Sequence, residues 1–143
     1  MKPSATFTTK LSFSNLESTV KSHGWVNLPP FTWDEQKKRL HRHENMNGKQ
    51  VELVLAQKNE RIMCSCYSSS VLSKSDKSLL RKRFFYMVGR EIELYGFISL
   101  AKTLDPQIYK LANQGWARFL RGTSLFEDVV KTLFTTNASW QFT

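Results

Sequence analysis

Two short pairs of side chains have the chemistry of metal ligands. Cys64 and Cys66 are two residues apart, as are His41 and His43, and this spacing places both members of a pair on one face of a strand. A zinc site needs three or four ligands, and no further Cys or His follows either pair at the usual spacing. The sequence therefore predicts no metal site, and it favours buried free thiols in a reducing, intracellular compartment.

Motifs of phosphate and acyl chemistry are missing from the sequence. It contains no Gly-rich phosphate loop and no nucleophile elbow, and its Ser, His and Asp residues follow no order that indicates a triad. The residues by themselves predict no cofactor, and they leave open whether the protein is an enzyme.

The charge of the chain favours an anionic partner. Lys and Arg number 21 against 12 Asp and Glu, which gives a net charge of +9. Nucleic acid is the first partner this charge suggests, and an anionic membrane or an acidic protein is the second. No apolar run approaches the ~20 residues of a membrane span, and the first twenty residues lack the apolar core of a secretory signal.

The elements that would position these residues begin with a small sheet. Ser14 and Glu17 fit a capping box, which predicts a helix over residues 15–22. Two strands are expected between residues 32 and 57, joined at Asn47-Gly48 because Asn-Gly favours positive φ. A third strand, RIMCSCYS, follows the turn at residues 58–60. The product is an antiparallel meander that is covered on one face.

The second half of the chain has helical periodicity. A helix is predicted from about residue 73 to 88, with Leu80 and Phe84 in its apolar stripe. Its opposite face is either a solvated surface or a phosphate-facing patch, and it carries Lys74, Lys77, Arg81, Lys82 and Arg83. Two more helices follow over about residues 92–104 and 106–112, and Ser124 with Glu127 starts a last, strongly apolar one.

Strands followed by helices indicate an α+β fold, in which a small antiparallel sheet precedes a helical segment. The predicted divisions are a flexible N-terminus over residues 1–13, the sheet with its leading helix over 14–70, and the helical segment over 71–143. An apolar surface on the last helix is expected to be exposed unless a partner covers it. It comprises Val129, Val130, Leu133 and Phe134.

Several segments together resemble one enzyme superfamily. LFEDVVKTLFTTNASW is similar to the opening helix of the helix-hairpin-helix DNA glycosylases, with Phe126-Glu127 near its start and a small polar cluster at its end. HGWVNLPPFTWD resembles the N-terminal segment of the 8-oxoguanine and alkyladenine glycosylase-like group, whose members begin with a small antiparallel sheet. The resemblance runs from about Phe13 to the end of the chain. It implies a glycosylase N-terminal fold and a role in base-excision repair.

The resemblance also implies a DNA-contacting residue. These enzymes flip the damaged base out of the duplex, and a Gln or Asn at the end of the opening helix fills the gap. The matching residue is Asn137, with Ser139 and Lys131 as further DNA contacts. The alternative is that Asn137 only caps its own helix. The partner would be double-stranded DNA with a damaged base.

Two departures from the family pattern limit what the resemblance implies. Leu28-Pro29 stands where the 8-oxoguanine enzymes carry Gly-Gln, so specificity for 8-oxoguanine is not implied and the identity of the damaged base is left open. The hairpin and the catalytic Asp or Lys of the family follow the opening helix, and the sequence carries no match to them. We therefore expect a truncated glycosylase portion that is inactive alone, with a downstream catalytic segment or a partner over the last helix. A non-enzymatic DNA-binding or protein-interaction module is the alternative, and a membrane-surface protein is a weaker third.

Overall fold

The computed structural model describes residues 2–136. The described residues form five strands and five α-helices, which in chain order are β1 (Ala5–Lys10), α1 (Leu16–Val20), β2 (Phe31–Asp34), β3 (Arg39–Met46), β4 (Lys49–Lys58), β5 (Arg61–Tyr67), α2 (Lys74–Met87), α3 (Tyr95–Leu104), α4 (Pro106–Asn113) and α5 (Leu125–Thr135). The predicted α+β class, with a small antiparallel sheet before a helical segment, is confirmed.

The strands form one antiparallel sheet in the order β1-β5-β4-β3-β2. The turn between β3 and β4 lies at Asn47-Gly48, where both residues have positive φ (53° and 78°). Asn59 (φ 55°) lies between β4 and β5. Asparagine and glycine tolerate this left-handed region better than other residues do, so the two turns predicted from local composition are confirmed.

The prediction of a flexible N-terminus over residues 1–13 is wrong for residues 5–10. These residues form β1, which pairs with β5 in a register that sets Phe7 opposite Cys64 and Thr9 opposite Ile62. Only Thr9 is fully buried in this strand. Because ATFTTK lacks a regular apolar alternation, the strand has almost no local signal. Strand β2 was also missed: the region predicted to hold two strands contains three, because residues 31–34 form a separate strand that pairs with β3. The domain boundaries at residues 14 and 71 remain predictions.

Helix α1 is shorter than predicted and has a different N-cap. Asn15, not Ser14, is the cap residue, and its Oδ1 accepts hydrogen bonds from the N–H groups of Glu17 (2.9 Å) and Ser18 (3.3 Å). Ser14 instead forms a backbone bridge with Trp116. The predicted capping box failed because Ser14 is held in this long-range pairing.

The core lies between the inner face of the sheet and the helices. Phe84, Leu80 and Met87 of α2 are fully buried in one cluster with residues of the sheet. The helix begins with a complete capping box between Ser73 and Asp76, as a local Ser-x-x-Asp pattern favours. Cys64 and Cys66 on β5 are free and buried, so this prediction is confirmed.

Helices α3 and α4 form a hairpin at the edge of the molecule. Asp105 joins them and caps α4, since its Oδ1 accepts hydrogen bonds from the N–H groups of Gln107 (3.0 Å) and Ile108 (3.1 Å). The hairpin leaves several large apolar side chains exposed, namely Phe97, Leu100, Leu104, Ile108 and Leu111. Within the described part of the chain, no helix is both long and apolar enough to cross a membrane.

Candidate nucleic-acid interface

The candidate interface is centred on α5, the helix that carries Lys131 and precedes Asn137 in the sequence. Ser124 is its N-cap, and the Ser124 Oγ accepts a hydrogen bond from the Glu127 N–H (3.2 Å). The Glu127 carboxylate accepts from the Thr123 N–H (2.9 Å). The first half of the predicted capping box is therefore present, while the Glu127 side chain is aimed at residues before and beside the helix.

A bidentate ion pair ties the first turn of α5 to the sheet. Arg42 on β3 is 4% exposed, and its two terminal nitrogens donate to the two carboxylate oxygens of Glu127 at 2.9 and 2.8 Å. Arg42 Nη2 also donates to the Thr123 Oγ1 (3.2 Å). Two parallel hydrogen bonds fix both the distance and the angle between guanidinium and carboxylate. The start of α5 is thus oriented by a residue 85 positions away.

The same arginine links α5 to α2 through a second carboxylate. Arg42 Nε donates to Glu44 Oε1 (2.5 Å), and Arg83 Nη1 on α2 donates to Glu44 Oε2 (2.6 Å). We call Arg42, Glu44, Arg83, Glu127 and Lys131 the sheet–helix ion network. A signal for it exists in the sequence, because strand alternation puts Arg42 and Glu44 on the buried face between two apolar residues, Leu40 and Met46.

Lys131, predicted as a DNA contact, faces this network. Its ammonium lies 2.7 Å from Glu127 Oε1, which makes an ion pair, although the geometry does not meet that of a hydrogen bond. The ammonium is 4.6 Å from the centroid of the Phe31 ring and 5.7 Å from that of Trp25, and the Lys131 side chain is only 12% exposed. DNA contact by Lys131 remains a prediction, and it would compete with these internal contacts.

The environment of Glu127 holds the carboxylate in its ionised form. Burial alone raises the pKa of Glu127, but Arg42, Lys131 and the Thr123 N–H together lower it from 4.5 to about 2. The pKa in the folded state is thus below the ordinary value. The stabilisation linked to this group is therefore complete above about 4.5 and is lost as the pH falls toward about 2.

We expect the melting temperature of the wild-type chain to fall more steeply on acidification than that of Glu127→Gln. The comparison between the two proteins is needed because the pKa of Glu35 is also lowered to about 2, by Lys21, Lys38 and Trp33. That contribution is common to both proteins and cancels in the difference. Thermal unfolding followed by circular dichroism across the acid range measures it. Parallel curves for the two proteins would contradict the prediction.

Asp128 makes a second tie between α5 and the rest of the fold. Its carboxylate accepts hydrogen bonds from the Gly122 N–H (2.6 Å) and from the hydroxyl of Tyr86 on α2 (2.9 Å). A Cβ atom at Gly122 would lie 2.6 Å from the Glu127 Cδ and 2.8 Å from an Asp128 oxygen. A side chain at this position would therefore push both carboxylates away from the segment that precedes the helix.

Much of the remaining surface of α5 is apolar and open to solvent. Val129 is 48% exposed, Leu133 63% and Phe134 67%, while Val130 is half-buried. The predicted exposure of this face is confirmed for the first three residues. Leu125 and Phe126 extend the same surface toward the start of the helix. An apolar surface of this size is typical of a site that another element covers.

The basic face predicted on α2 lies at the surface. Lys74, Lys77, Arg81 and Lys82 are exposed, and we call these four residues the α2 basic face. Arg83, which the sequence placed with them, is turned toward Glu44 and belongs to the sheet–helix ion network. The other two predicted DNA contacts, Asn137 and Ser139, lie outside the described residues. Within residues 2–136, no group of three or more His, Cys, Asp and Glu side chains is arranged to hold a metal ion.

No protein-family model matches the chain, and no curated protein matches it. A solved glycosylase shares its fold. The structure of a 3-methyladenine DNA-glycosylase from Archaeoglobus fulgidus matches 94% of the chain with a TM-score of 0.65 and 18% sequence identity. The chain spans 46% of that protein's length. At 18% identity the likeness shows a shared fold and nothing beyond it.

Proposed function

We propose that this chain is the DNA-recognition portion of a helix-hairpin-helix DNA glycosylase of base-excision repair. The parent reaction is cleavage of the N-glycosidic bond of a damaged base. The observation that carries the proposal is the fold shared with a 3-methyladenine DNA-glycosylase over 94% of the chain. The net charge of +9 and the exposed α2 basic face support a polyanionic partner.

In this proposal the chain supplies recognition of the DNA and not the excision step. The chain spans about half of the similar glycosylase, and its sequence shows no match to the hairpin or to the catalytic Asp or Lys of the superfamily. The exposed apolar surface of α5 around Val129 and Leu133 is the surface that a downstream catalytic segment or a partner protein would cover.

In this proposal Asn137 contacts the DNA, with Ser139 and Lys131 as supporting contacts. Asn137 follows α5 closely in sequence, and α5 is fixed to the sheet by Arg42 and to α2 by the Tyr86–Asp128 hydrogen bond. A rigidly held helix can present a short polar side chain at a defined depth in a duplex. A planar amide can stack in the gap left by a flipped base and hydrogen-bond the unpaired partner base.

We expect the purified 143-residue chain to bind duplex DNA and to excise no base. Binding should weaken steeply as salt is raised, because phosphate contacts release counterions. Fluorescence anisotropy at several salt concentrations measures binding, and duplexes that carry alkylated or oxidised bases test for excision. Excision above a buffer control would contradict the proposal that this chain recognises DNA without cleaving the base. Binding that is insensitive to salt would contradict DNA as the partner.

Two matched variants test the role of Asn137 in the same assay. Asn137→Ala should weaken binding to a damaged duplex by about 0.5–1.5 kcal/mol, the usual net contribution of a hydrogen bond. Thr132→Ala removes an exposed hydroxyl from α5 that bonds only its own helix, to the Asp128 carbonyl, and it should leave binding unchanged. Equal effects of the two substitutions would leave Asn137 as an ordinary helix cap.

A further inference from the structure

The two most buried arginines of the described chain have opposite electrostatic surroundings. Arg42 (4% exposed) is neutralised by the carboxylates of Glu44 and Glu127. Arg118 (7% exposed) donates to three backbone carbonyls instead: Nε to Ser12 (3.3 Å), and Nη1 to Gly89 and to Ile92 (3.2 Å). No carboxylate among residues 2–136 lies within ion-pair distance of Arg118. Arg118 is therefore a nearly buried charge without a direct counter-ion.

The position of Arg118 has a structural consequence and an energetic one. Arg118 holds the Gly89 and Ile92 carbonyls in the turn after α2, and α3 begins at Tyr95 rather than at the predicted Ile92. Carbonyl dipoles offset only part of the cost of burying a cation. Burial lowers the pKa of Arg118, and Glu93 and Glu91 oppose this only through their more distant charges.

Arg118 lies at an open polar cavity that two more cations line. Arg90 and Lys10 line it, together with Ser12, Glu93 and Tyr95. The Arg90 guanidinium sits 4.3 Å from the centroid of the Phe85 ring, and within the described residues neither it nor Arg118 Nη2 donates a hydrogen bond. Lys10 pairs with Glu60, but both side chains are more than half exposed, so this pair is weak in water.

We propose that this cavity binds a phosphate group. Arg118 would supply a pre-organised charge at the wall, Arg90 a free planar fork, and Lys10 a mobile ammonium, which is the donor set that tetrahedral oxyanions prefer. The hydroxyls of Ser12 and Tyr95 are hydrogen-bonded to each other (2.8 Å), so between them they offer one further donor. Glu93 is the one lining carboxylate among the described residues, and its charge opposes the anion. The inference does not rest on the proposed glycosylase function, because the cavity is built from β1, the α2–α3 turn and Arg118.

Two substitutions with opposite expected effects test the site. In nuclear magnetic resonance titrations with inorganic phosphate, the wild-type chain should show saturable shifts at the amides of Ser12, Gly89 and Ile92. Arg90→Gln should weaken binding about tenfold, since one charge-assisted contact is lost. Glu93→Gln should tighten it, because it removes the opposing charge. Both residues are exposed, so these variants should fold like the wild type.

A control variant and a measurement of duplex affinity complete the test. Arg81→Gln removes another exposed cation, one of the α2 basic face, and should leave phosphate binding unchanged. Loss of duplex affinity in Arg90→Gln would identify the phosphate as one of the DNA backbone, whereas unchanged duplex affinity would identify a free phosphate ligand. Non-saturable shifts, or equal effects of Arg81→Gln and Arg90→Gln, would overturn the site whether or not the chain binds DNA.

Discussion

Replacing Arg42 with Met is expected to lower the free energy of unfolding by about 3–5 kcal/mol, the usual effect of removing one partner from a buried ion pair. The substitution leaves the carboxylates of Glu44 and Glu127 in a poorly solvated site without the guanidinium between them. It also removes the only bidentate pair that joins the sheet to α5 among the described residues. Urea denaturation followed by tryptophan fluorescence measures the change.

A surface ion pair and a double variant provide the controls for Arg42→Met. Lys37, 68% exposed, lies 3.6 Å from Asp34, and Lys37→Met should change stability by only about 0–1 kcal/mol. The double variant Arg42→Met/Glu127→Met should be less destabilised than the sum of the single variants, because neither partner is left as an isolated buried charge. A cost for Arg42→Met no greater than that for Lys37→Met would show that the network does not hold α5.

The features that the sequence predicted correctly are those specified by neighbouring residues. The capping box of Ser73 and Asp76 and the Asn47-Gly48 turn each depend on a few consecutive positions. The α+β class followed from the same kind of local pattern. Local hydrogen bonding and positive φ are properties of short segments, so a single sequence contains enough information to find them.

The features that were missed depend on residues far apart in the chain. Strand β1 is stable because β5 offers it an edge, and Ser14 lost its cap role to a bridge with Trp116. The Arg42–Glu127 pair joins residues 85 positions apart. The only local sign of this pair is that the strand alternation of β3 places two charged residues, Arg42 and Glu44, on the buried face. The partner of such a buried charge is a property of the fold, and one sequence does not specify it.

Replacing the four residues of the α2 basic face with Gln is expected to remove much of the affinity for duplex DNA. Each phosphate contact contributes about 0.9 to the slope of log affinity against log salt, so four contacts would lower that slope by up to about 3.6. At physiological salt this corresponds to a loss of about a hundred- to a thousandfold in affinity. The side chains of Lys74, Lys77, Arg81 and Lys82 are exposed, and none of the four forms an ion pair within the described chain, so the fold should be unaffected.

The control must remove the same charge from another surface, because net charge alone weakens association with DNA. Four exposed lysines distant in sequence from α2 meet this need: Lys2, Lys37, Lys58 and Lys110. Both quadruple variants lower the formal net charge by four, so any difference in slope reports where the phosphates bind. If the two variants show equal losses of affinity and equal changes in the slope of log affinity against log salt, the positive charge attracts DNA only through its overall field, and α2 makes no specific phosphate contacts. A larger loss for the α2 variant would place the duplex backbone along α2, the helix to which the Tyr86–Asp128 and Arg83–Glu44 contacts connect the rest of the candidate interface.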